Sequence, residues 1–278
     1  MAFLRVVEVL PPLFRVSAGD LRGAKAAVGR LTSDVRKFRR YADIFLVANV
    51  KDPNVLKLDT VHLASTLHEA LGVDSAPVIV VRDQNRPQFL ASVLTALVGG
   101  AGPLMVAWGD DYPGGTASNV RDFESLAGAV AEASRLRRVA RPDAMVLAPV
   151  NVGRLSEPRE LALAEKRLAA GADLLLAQPP TTDAGTTFER HLALLDDAGL
   201  RGKVLLSVFP FMGRSDVSRY ERMFGWRLPA SLHAAAKGGR APLLEAERAV
   251  VRRMRREHLP GVYLSTRGDV SLARDVLS

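Results

Sequence analysis

Short apolar runs rich in β-branched residues alternate along this chain with longer amphipathic stretches, and the alternation recurs eight times. Such alternation is typical of βαβ units built around a parallel sheet. The runs are almost continuously apolar, as strands covered on both faces are. The eight predicted strands are Leu4–Val9, Ile44–Asn49, Pro77–Val81, Leu104–Trp108, Ala144–Ala148, Asp173–Gln178, Lys203–Phe209 and Gly261–Ser265.

The stretches between these strands carry apolar residues at the 3.6-residue period of a helix. The predicted helices are Ala18–Arg40, Leu58–Leu71, Pro87–Val98, Val120–Arg138, Pro158–Ala170, Phe188–Ala198, Pro242–Glu257 and Val270–Leu277. The longest interval between strands lies before the last one, and Met212 to Lys237 fills much of it. We expect extra helical structure there, at the mouth of a barrel.

Eight alternating units fit either a closed barrel or an open, doubly wound sheet. Barrels of about 250 residues form one domain, and this chain has 278 residues. An open sheet that binds a dinucleotide has G-x-G-x-x-G after its first strand, whereas Leu10-Pro11-Pro12 follows here. We therefore predict a parallel (β/α)₈ TIM barrel that forms a single domain over residues 1–278.

Composition excludes several kinds of site. The chain has no cysteine, which rules out disulfides, thiolate metal sites and a cysteine nucleophile. Its five histidines show no paired ligand spacing, so no metal site is predicted. The formal net charge of +8 is compatible with nucleic acid, an anionic membrane or a polyanionic cofactor.

The densest basic run, Arg248 to Arg256, places Val250, Val251 and Met254 on one helical stripe with arginines around it. No aromatic residues interleave with these arginines to stack on bases. This pattern indicates that the arginines lie on the solvent-exposed face of a helix near the end of the chain. A nucleic-acid partner is not predicted.

Two segments bear on location. Residues Phe89 to Gly109 contain no charge and are long enough to span a bilayer, but Gly99 to Pro103 interrupts them. A helix, a loop and a buried strand explain the segment better. Arg5 and Glu8 stand where a signal peptide needs its apolar stretch, so we predict a cytoplasmic protein without a membrane span.

In a parallel barrel the active site lies where the strands end. Glu8 is the most informative residue there, because a carboxylate inside an apolar strand costs several kcal/mol unless it is paired or protonated. Burial favours the protonated acid, which is the form that donates a proton in catalysis. The alternative is a structural carboxylate that pairs with an arginine.

Asp110 and Asp111 lie in a glycine-rich turn after the fourth strand, where backbone amides can approach a ligand. We expect Asp110 to face the ligand, and the alternative is an Asp that caps a turn or helix. Gln178 ends the sixth strand and offers an amide that suits a heteroaromatic ring; the alternative is a hydrogen bond to backbone. Further candidates at strand ends are Asn49, Arg82, Asp83, Asn151, Phe209, Phe211, Thr266 and Arg267.

Five motifs in order resemble the methylenetetrahydrofolate reductase family over nearly the whole chain. Each includes a predicted strand, its end or the turn that follows it, and two also include part of a helix. They are Glu8-Val-Leu-Pro11-Pro12, Gly109-Asp110-Asp111-Tyr112-Pro113-Gly114, Arg167-Leu-Ala-Ala-Gly171-Ala-Asp173 leading to Gln178, Ser207-Val-Phe-Pro210 through Arg227-Leu-Pro229, and Gly261-Val-Tyr-Leu-Ser-Thr266.

The resemblance implies reduction of 5,10-methylenetetrahydrofolate to the 5-methyl form, through FAD reduced by NADH or NADPH. Glu8 would protonate the folate, with Asp110 as the second catalytic residue. Gln178, Asp110 and Phe209 would bind the substrate. Cofactor contacts would come from Gly109, Asp110, Asn151 and Arg167.

The chain departs from the family mainly where flavin binds. A His-Leu-Thr-like segment on the third strand is replaced by Pro77 to Arg82, an Arg before Gly-Asp by Trp108, and a Tyr-Pro-Glu-like segment by Ala148 to Asn151. The sequence is therefore also compatible with a flavin-free reductase that takes hydride directly from the nicotinamide, and this alternative stays open. So do a non-catalytic pterin-binding subunit, a barrel aldolase, and either a homo-oligomer or a partner subunit.

Overall fold

The computed structural model describes residues 2–15, 23–50, 55–82, 84–109, 122–224 and 227–278. Within these ranges, eight parallel strands close into a barrel in the order β1-β10-β9-β8-β7-β6-β5-β3. The barrel strands are β1 (Leu4–Val9), β3 (Ile44–Val47), β5 (Asp74–Val80), β6 (Leu104–Ala107), β7 (Val146–Asn151), β8 (Leu174–Gln178), β9 (Val204–Val208) and β10 (Gly261–Leu264). The predicted TIM barrel is confirmed.

Helices surround the barrel at the positions that the periodicity predicts. They are α1 (Ala24–Phe38), α2 (Thr60–Leu71), α3 (Arg86–Val98), α4 (Leu126–Ala140), α5 (Pro158–Ala169), α6 (Thr186–Asp197), α7 (Arg214–Phe224), α8 (Ala230–Lys237), α9 (Arg240–Arg256) and α10 (Leu272–Leu277). Helices α7 and α8 fill the long interval before β10, as predicted. Every helix in the described ranges is too short or too polar to cross a lipid bilayer.

Two apolar layers stabilise the fold, because successive strand residues point to opposite faces of the sheet. One set of side chains, including Val6, Leu46, Leu176 and Tyr263, fills the barrel lumen. The other set packs against the helices in a larger cluster that includes Phe45, Phe89 and Phe188. The lumen is thus a packed core, and only its two ends are available for binding.

The segment Phe89 to Gly109 folds as the sequence predicts. Helix α3 ends at Val98, and β6 begins at Leu104 after a short loop. The basic run also lies on a helix, α9, whose stripe of Val250, Val251 and Met254 is buried. Several arginines of α9 pair with acidic side chains, such as Arg252 with Glu245.

One element was not predicted. Strands β2 (Leu13–Arg15) and β4 (Val55–Lys57) pair antiparallel, with Phe14 opposite Leu56. Since β2 follows β1 and β4 follows β3, this small sheet lies at the C-terminal end of the barrel. Lys57 Nζ there donates to Asn49 Oδ1, which ties the small sheet to the chain just after β3.

Candidate functional site

The strand alternation determines which side chains face the mouth of the barrel. Side chains along a strand alternate between the two faces of the sheet, so every second residue points inward. The inward-facing residue that follows the last lumen residue of a strand lies at the C-terminal rim of the barrel. On β1, for example, Leu4 and Val6 belong to the lumen cluster, so Glu8 is the following inward residue. The same parity gives the rim positions Glu8, Ala48, Arg82, Gly109, Pro149, Gln178, Ser207 and Ser265. Asn151 and Phe209 lie one inward position further along their strands.

Glu8 lies at the C-terminal end of β1 and accepts three hydrogen bonds. Tyr263 Oη donates to Oε2 over 2.7 Å, and Ser265 Oγ donates to Oε1 over 2.8 Å. The backbone N–H of Arg267 donates to Oε1 over 3.2 Å. Within the described chain, hydroxyl and backbone amide groups hold this carboxylate, and no arginine side chain is among its partners. The role of Glu8 as a proton donor stays a prediction.

Tyr263 is the deepest of these donors. It belongs to the lumen cluster and is 7% exposed. Burial, and secondarily the charge of Glu8, raises the pKa of Tyr263 well above its usual value. The phenol therefore stays protonated and remains a donor to Glu8 at any physiological pH.

The turn after β10 fixes the third donor. Thr266 Oγ1 donates to the carbonyl oxygen of Glu8 over 2.8 Å and accepts from Gly268 N. Arg267 has a φ of 55°, which lies in the left-handed region. Side chains other than glycine adopt this conformation only when their surroundings impose it, and here it accompanies the hydrogen bond from Arg267 N to Glu8.

The guanidinium of Arg267 continues the network towards β9. It pairs with Asp216 of α7 and lies 5.2 Å from the ring centre of Phe209. Burial opposes ionisation of Asp216, but the hydrogen bonds from Arg267 and from Met212 N lower its pKa. Glu8, Arg267 and Phe209 therefore form one side of the mouth.

A second buried acid supports this side from beneath. Glu247 of α9 is 1% exposed and accepts a hydrogen bond from Phe211 N over 2.7 Å. Its Oε2 has no partner among the described residues. Burial raises the pKa of Glu247 well above the usual value and so favours its protonated form, and its hydrogen bond from Phe211 N anchors the chain after β9.

The two predicted amides lie side by side on the neighbouring strands β7 and β8. Asn151 and Gln178 are partners in the β7–β8 register. Gln178 is exposed, and in the described part of the chain no hydrogen bond to backbone occupies its side chain. Its amide is therefore available to a ligand, as the functional interpretation requires.

Asn151 is held by the start of helix α5. Its backbone N–H donates to Glu160 Oε1 over 3.1 Å, and Arg167 pairs with the same carboxylate over 3.3 Å. Arg167 Nη1 also donates to the carbonyl oxygen of Pro149 over 2.9 Å. Arg167 thus joins α5 to β7 in the outer layer, and its predicted cofactor contact stays a prediction.

The predicted ligand-facing acid Asp110 lies outside the described residues, as do Asp111 and Asp83. Gly109 is described and has a φ of 92°. A Cβ added there would lie 2.3 Å from Val80 Cγ1. Glycine is therefore required at this position by the backbone conformation and by contact with the chain's own side chain.

A cavity of about 730 Å³ lies beside the mouth. Its walls come from the loops after β7 and β8 and from residues 227–231, at the start of α8. Asn151 lines it, so the cavity adjoins the rim. Glu8 and Gln178 are not among its lining residues.

Sequence reasoning missed three residues near the mouth. Tyr263 looks like ordinary core in an apolar strand, although its parity with Ser265 places it on the inward face. Glu247 looks like a solvated glutamate between arginines, although it shares the stripe of Val250, Val251 and Met254. His191 falls in a predicted helix without a local motif and carried no signal.

Comparisons with known proteins add information on the fold. No protein-family model matches the chain, and no curated protein matches it. An uncharacterized protein from Clostridium thermocellum that binds two copies of 5-methyl-5,6,7,8-tetrahydrofolic acid superposes with a TM-score of 0.62 at 10% identity. That alignment covers 99% of this chain and 95% of the other.

Two aldolase structures are also similar. QR15, an aldolase, gives a TM-score of 0.54 at 14% identity, with coverage of 99% of this chain and 96% of that one. The deoxyribose phosphate aldolase from Aeropyrum pernix gives 0.51 at 15% identity, with coverage of 97% and 88%. At such identities the similarity establishes the fold alone, and the chain is a (β/α)₈ barrel.

Proposed function

We propose that this protein binds a reduced pterin of the folate type at the C-terminal mouth of its barrel and reduces its 5,10-methylene form to the 5-methyl form. The observation that carries the proposal is the carboxylate of Glu8 at the rim, held by Tyr263, Ser265 and the Arg267 amide. The Clostridium thermocellum barrel, which binds a 5-methyl-tetrahydrofolate, supports a pterin ligand.

The rim offers groups of the kind that a pterin ring needs. A pterin presents N–H donors and ring-nitrogen and carbonyl acceptors around a flat heterocycle, and amide side chains both donate and accept. Gln178 supplies such an amide, and Asp110 is the second polar contact of the proposal. Phe209 is the aromatic contact of the proposal, and the guanidinium of Arg267 lies over its ring, 5.2 Å from the ring centre.

The proposed reaction takes up one proton and one hydride. A proton on N10 breaks the bond from the bridging methylene carbon to N10 and leaves an N5 iminium. Hydride then adds to that carbon and gives the 5-methyl group. Glu8 delivers the proton, and the Ser265 hydroxyl beside Oε1 can rotate to accept when Glu8 is protonated. The electron pair comes from NADH or NADPH.

The described residues do not fit a flavin cradle. The space next to the Gly109 Cα is filled by Val80, so this glycine opens no room for an isoalloxazine ring. Arg167 is committed to Glu160 and the Pro149 carbonyl. Of the positions that the family resemblance assigns to the cofactor, Asn151 lines the cavity beside the mouth. We therefore propose direct hydride transfer from the nicotinamide.

A non-catalytic pterin-binding protein is the second candidate. The three donors around Glu8 favour it, because a carboxylate fixed in this way is suited to receiving N–H groups of a ring. An aldolase that works through a Schiff base is disfavoured. The eight barrel strands contain no lysine, and Lys203 precedes β9, at the end of the barrel opposite the mouth.

The test begins with binding of 5-methyltetrahydrofolate to the purified protein, measured by calorimetry. Turnover is then followed as loss of NADH or NADPH absorbance with 5,10-methylenetetrahydrofolate. Glu8→Gln should bind the folate within about tenfold of the wild type and lose about 10²-fold or more in turnover. Glu69→Gln, an exposed change on α2, is the matched control and should behave as wild type.

Each outcome separates the candidates. Absence of folate binding would contradict both pterin functions. Binding without nicotinamide oxidation would favour the non-catalytic protein. Full turnover in Glu8→Gln would exclude Glu8 as the proton donor, and a flavin absorption band in the purified protein would contradict direct hydride transfer.

A further inference from the structure

The 730 Å³ cavity beside the mouth is not used by the pterin proposal. Three segments form it: residues 151–154 after β7, residues 179–191 through the start of α6, and residues 227–231 at the start of α8. Its volume falls within the range of about 300 to 1,000 Å³ that is typical of small-molecule sites. It can hold a ligand of nucleotide size.

The charged residues that line this cavity carry one sign. Arg154, Arg190 and Arg227 line it, and no carboxylate is among its described lining residues. Arg154 also pairs with Glu157, whereas the one hydrogen bond that Arg190 donates within the described residues goes to the Gly153 carbonyl, over 3.5 Å. Guanidinium groups bind phosphate oxygens through paired N–H donors, so the cavity attracts an oxyanion.

Two helices begin at its wall. Thr186 and Thr187 start α6, and Ala230 and Ser231 start α8. Asp183 accepts from the amides of Gly185 and Thr187 and so caps α6. The N-cap of α8 is Pro229, which provides no side-chain cap. The first amides and the dipole of α8 therefore add to the attraction for an anion.

A buried histidine is the second observation that points to a ligand. His191 lines the cavity but is only 3% exposed. Its Nδ1 lies 2.9 Å from Thr181 Oγ1, and within the described chain Nε2 has no partner. Burial, and secondarily the charge of Arg190, lowers the pKa of His191 to about 4. The ring is neutral at pH 7, and Nε2 is left for a ligand atom.

The remaining wall is apolar. This wall is formed by Pro179, Pro180, Leu228 and Pro229. It offers an apolar surface without charged groups. A ligand that combines a flat ring or sugar with a strongly charged group matches both parts of the cavity. A simple inorganic anion would match the arginines alone.

We infer that this cavity is a second binding site, which takes a phosphate-bearing ligand of nucleotide size. The phosphate lies against Arg190, Arg227 and the start of α8, and the ring lies against the proline wall. The inference does not depend on pterin binding at the mouth, because neither Glu8 nor Gln178 lines this cavity. Failure of one therefore leaves the other standing.

The test uses ADP as the probe, titrated into the full-length protein by calorimetry, with adenosine and pyrophosphate in parallel. ADP should bind at one site per chain, and adenosine at least tenfold more weakly. Because the contacts are ionic, affinity for ADP should fall as salt rises. Saturation with 5-methyltetrahydrofolate beforehand shows whether ADP occupies the mouth instead.

Arg190→Ala combined with Arg227→Ala should lower the affinity for ADP at least tenfold. Both arginines are exposed, so the variant is expected to fold, and circular dichroism checks this. Arg39→Ala combined with Arg40→Ala removes the same two charges from exposed positions beside the opposite end of the barrel and should leave ADP affinity unchanged. Equal affinity for adenosine, binding of pyrophosphate as tight as that of ADP, competition with the folate, or an unchanged arginine variant would each overturn the inference.

Discussion

At the scale of single residues, the candidate site depends on how Glu8 is held. Its two oxygens receive hydroxyl and amide donors from one short stretch around β10. The sequence identified Glu8, because a charged residue inside an apolar strand needs a reason to be there. It did not identify Tyr263, because a tyrosine in an apolar strand looks like an ordinary core residue and gives no sign of a polar partner.

Tyr263→Phe should therefore destabilise the protein, although it changes only one buried oxygen. Loss of a hydrogen bond to a charged group costs about 1.5 to 3 kcal/mol, measured here as the free energy of unfolding in urea. Affinity for 5-methyltetrahydrofolate should fall as well, because Glu8 loses one of its fixed donors. Tyr41→Phe, whose hydroxyl accepts from Arg40 near the surface, is the control. Equal stability of the two variants would contradict the role of Tyr263.

At the scale of elements, apolar β-branched runs located all eight barrel strands within a few residues. The signal is strong because burial on both faces leaves little choice of residue type. The ends of the strands were less predictable. Strand β5 begins at Asp74 and not at Pro77, because polar residues at the rim of a barrel can also form backbone hydrogen bonds with the neighbouring strand. The small β2–β4 sheet could not be predicted, because three-residue strands carry no periodic pattern.

Helix α5 and strand β7 give an element-scale prediction. Glu160 and Arg167 have side chains that are only 14% and 12% exposed, and together they hold the Asn151 and Pro149 backbone. Removal of one member of a buried pair leaves an uncompensated charge. Arg167→Met should therefore cost about 3 kcal/mol of unfolding free energy.

A double-mutant cycle with Glu160→Gln measures the coupling of this pair. The matched comparison is Arg154 with Glu157, an exposed pair just before the same helix, for which no measurable coupling is expected. Similar coupling in the two pairs would show that Arg167 does not join α5 to β7.

At the scale of the whole molecule, the fold was more predictable than the site. Strand parity could place Glu8, Asn151 and Gln178 on one rim, but hydrogen-bond partners depend on side-chain positions that no periodicity encodes. Glu247 shows this limit. On a helix rich in arginine it looks solvated, yet the chain after β9 covers it and uses it as an acceptor.

The stability of the whole barrel should report the state of Glu247. Its pKa is raised in the fold above a usual value of 4.5, so the folded state retains a proton that the unfolded state releases. Its contribution to stability is complete below pH 4.5 and declines as pH rises towards the folded pKa. The Glu247→Gln variant should not lose stability in this way, because the glutamine side chain does not ionise.

The unfolding free energies of wild type and Glu247→Gln, measured from pH 4 to pH 9, should therefore diverge in favour of the variant as pH rises. Glu124→Gln, an exposed change before α4, should run parallel to the wild type. Parallel profiles for Glu247→Gln and wild type would show that this buried acid does not hold its proton in the fold.

The hydrogen bonds of Glu8 also set an order of events during synthesis. A ribosome translates Glu8 255 residues before Tyr263, the first of its partners. Until the final strand docks between β1 and β9, the carboxylate has none of the groups that orient it. These donors therefore arrive together, when the last strand closes the barrel, and a chain halted before β10 would lack every described donor to this carboxylate.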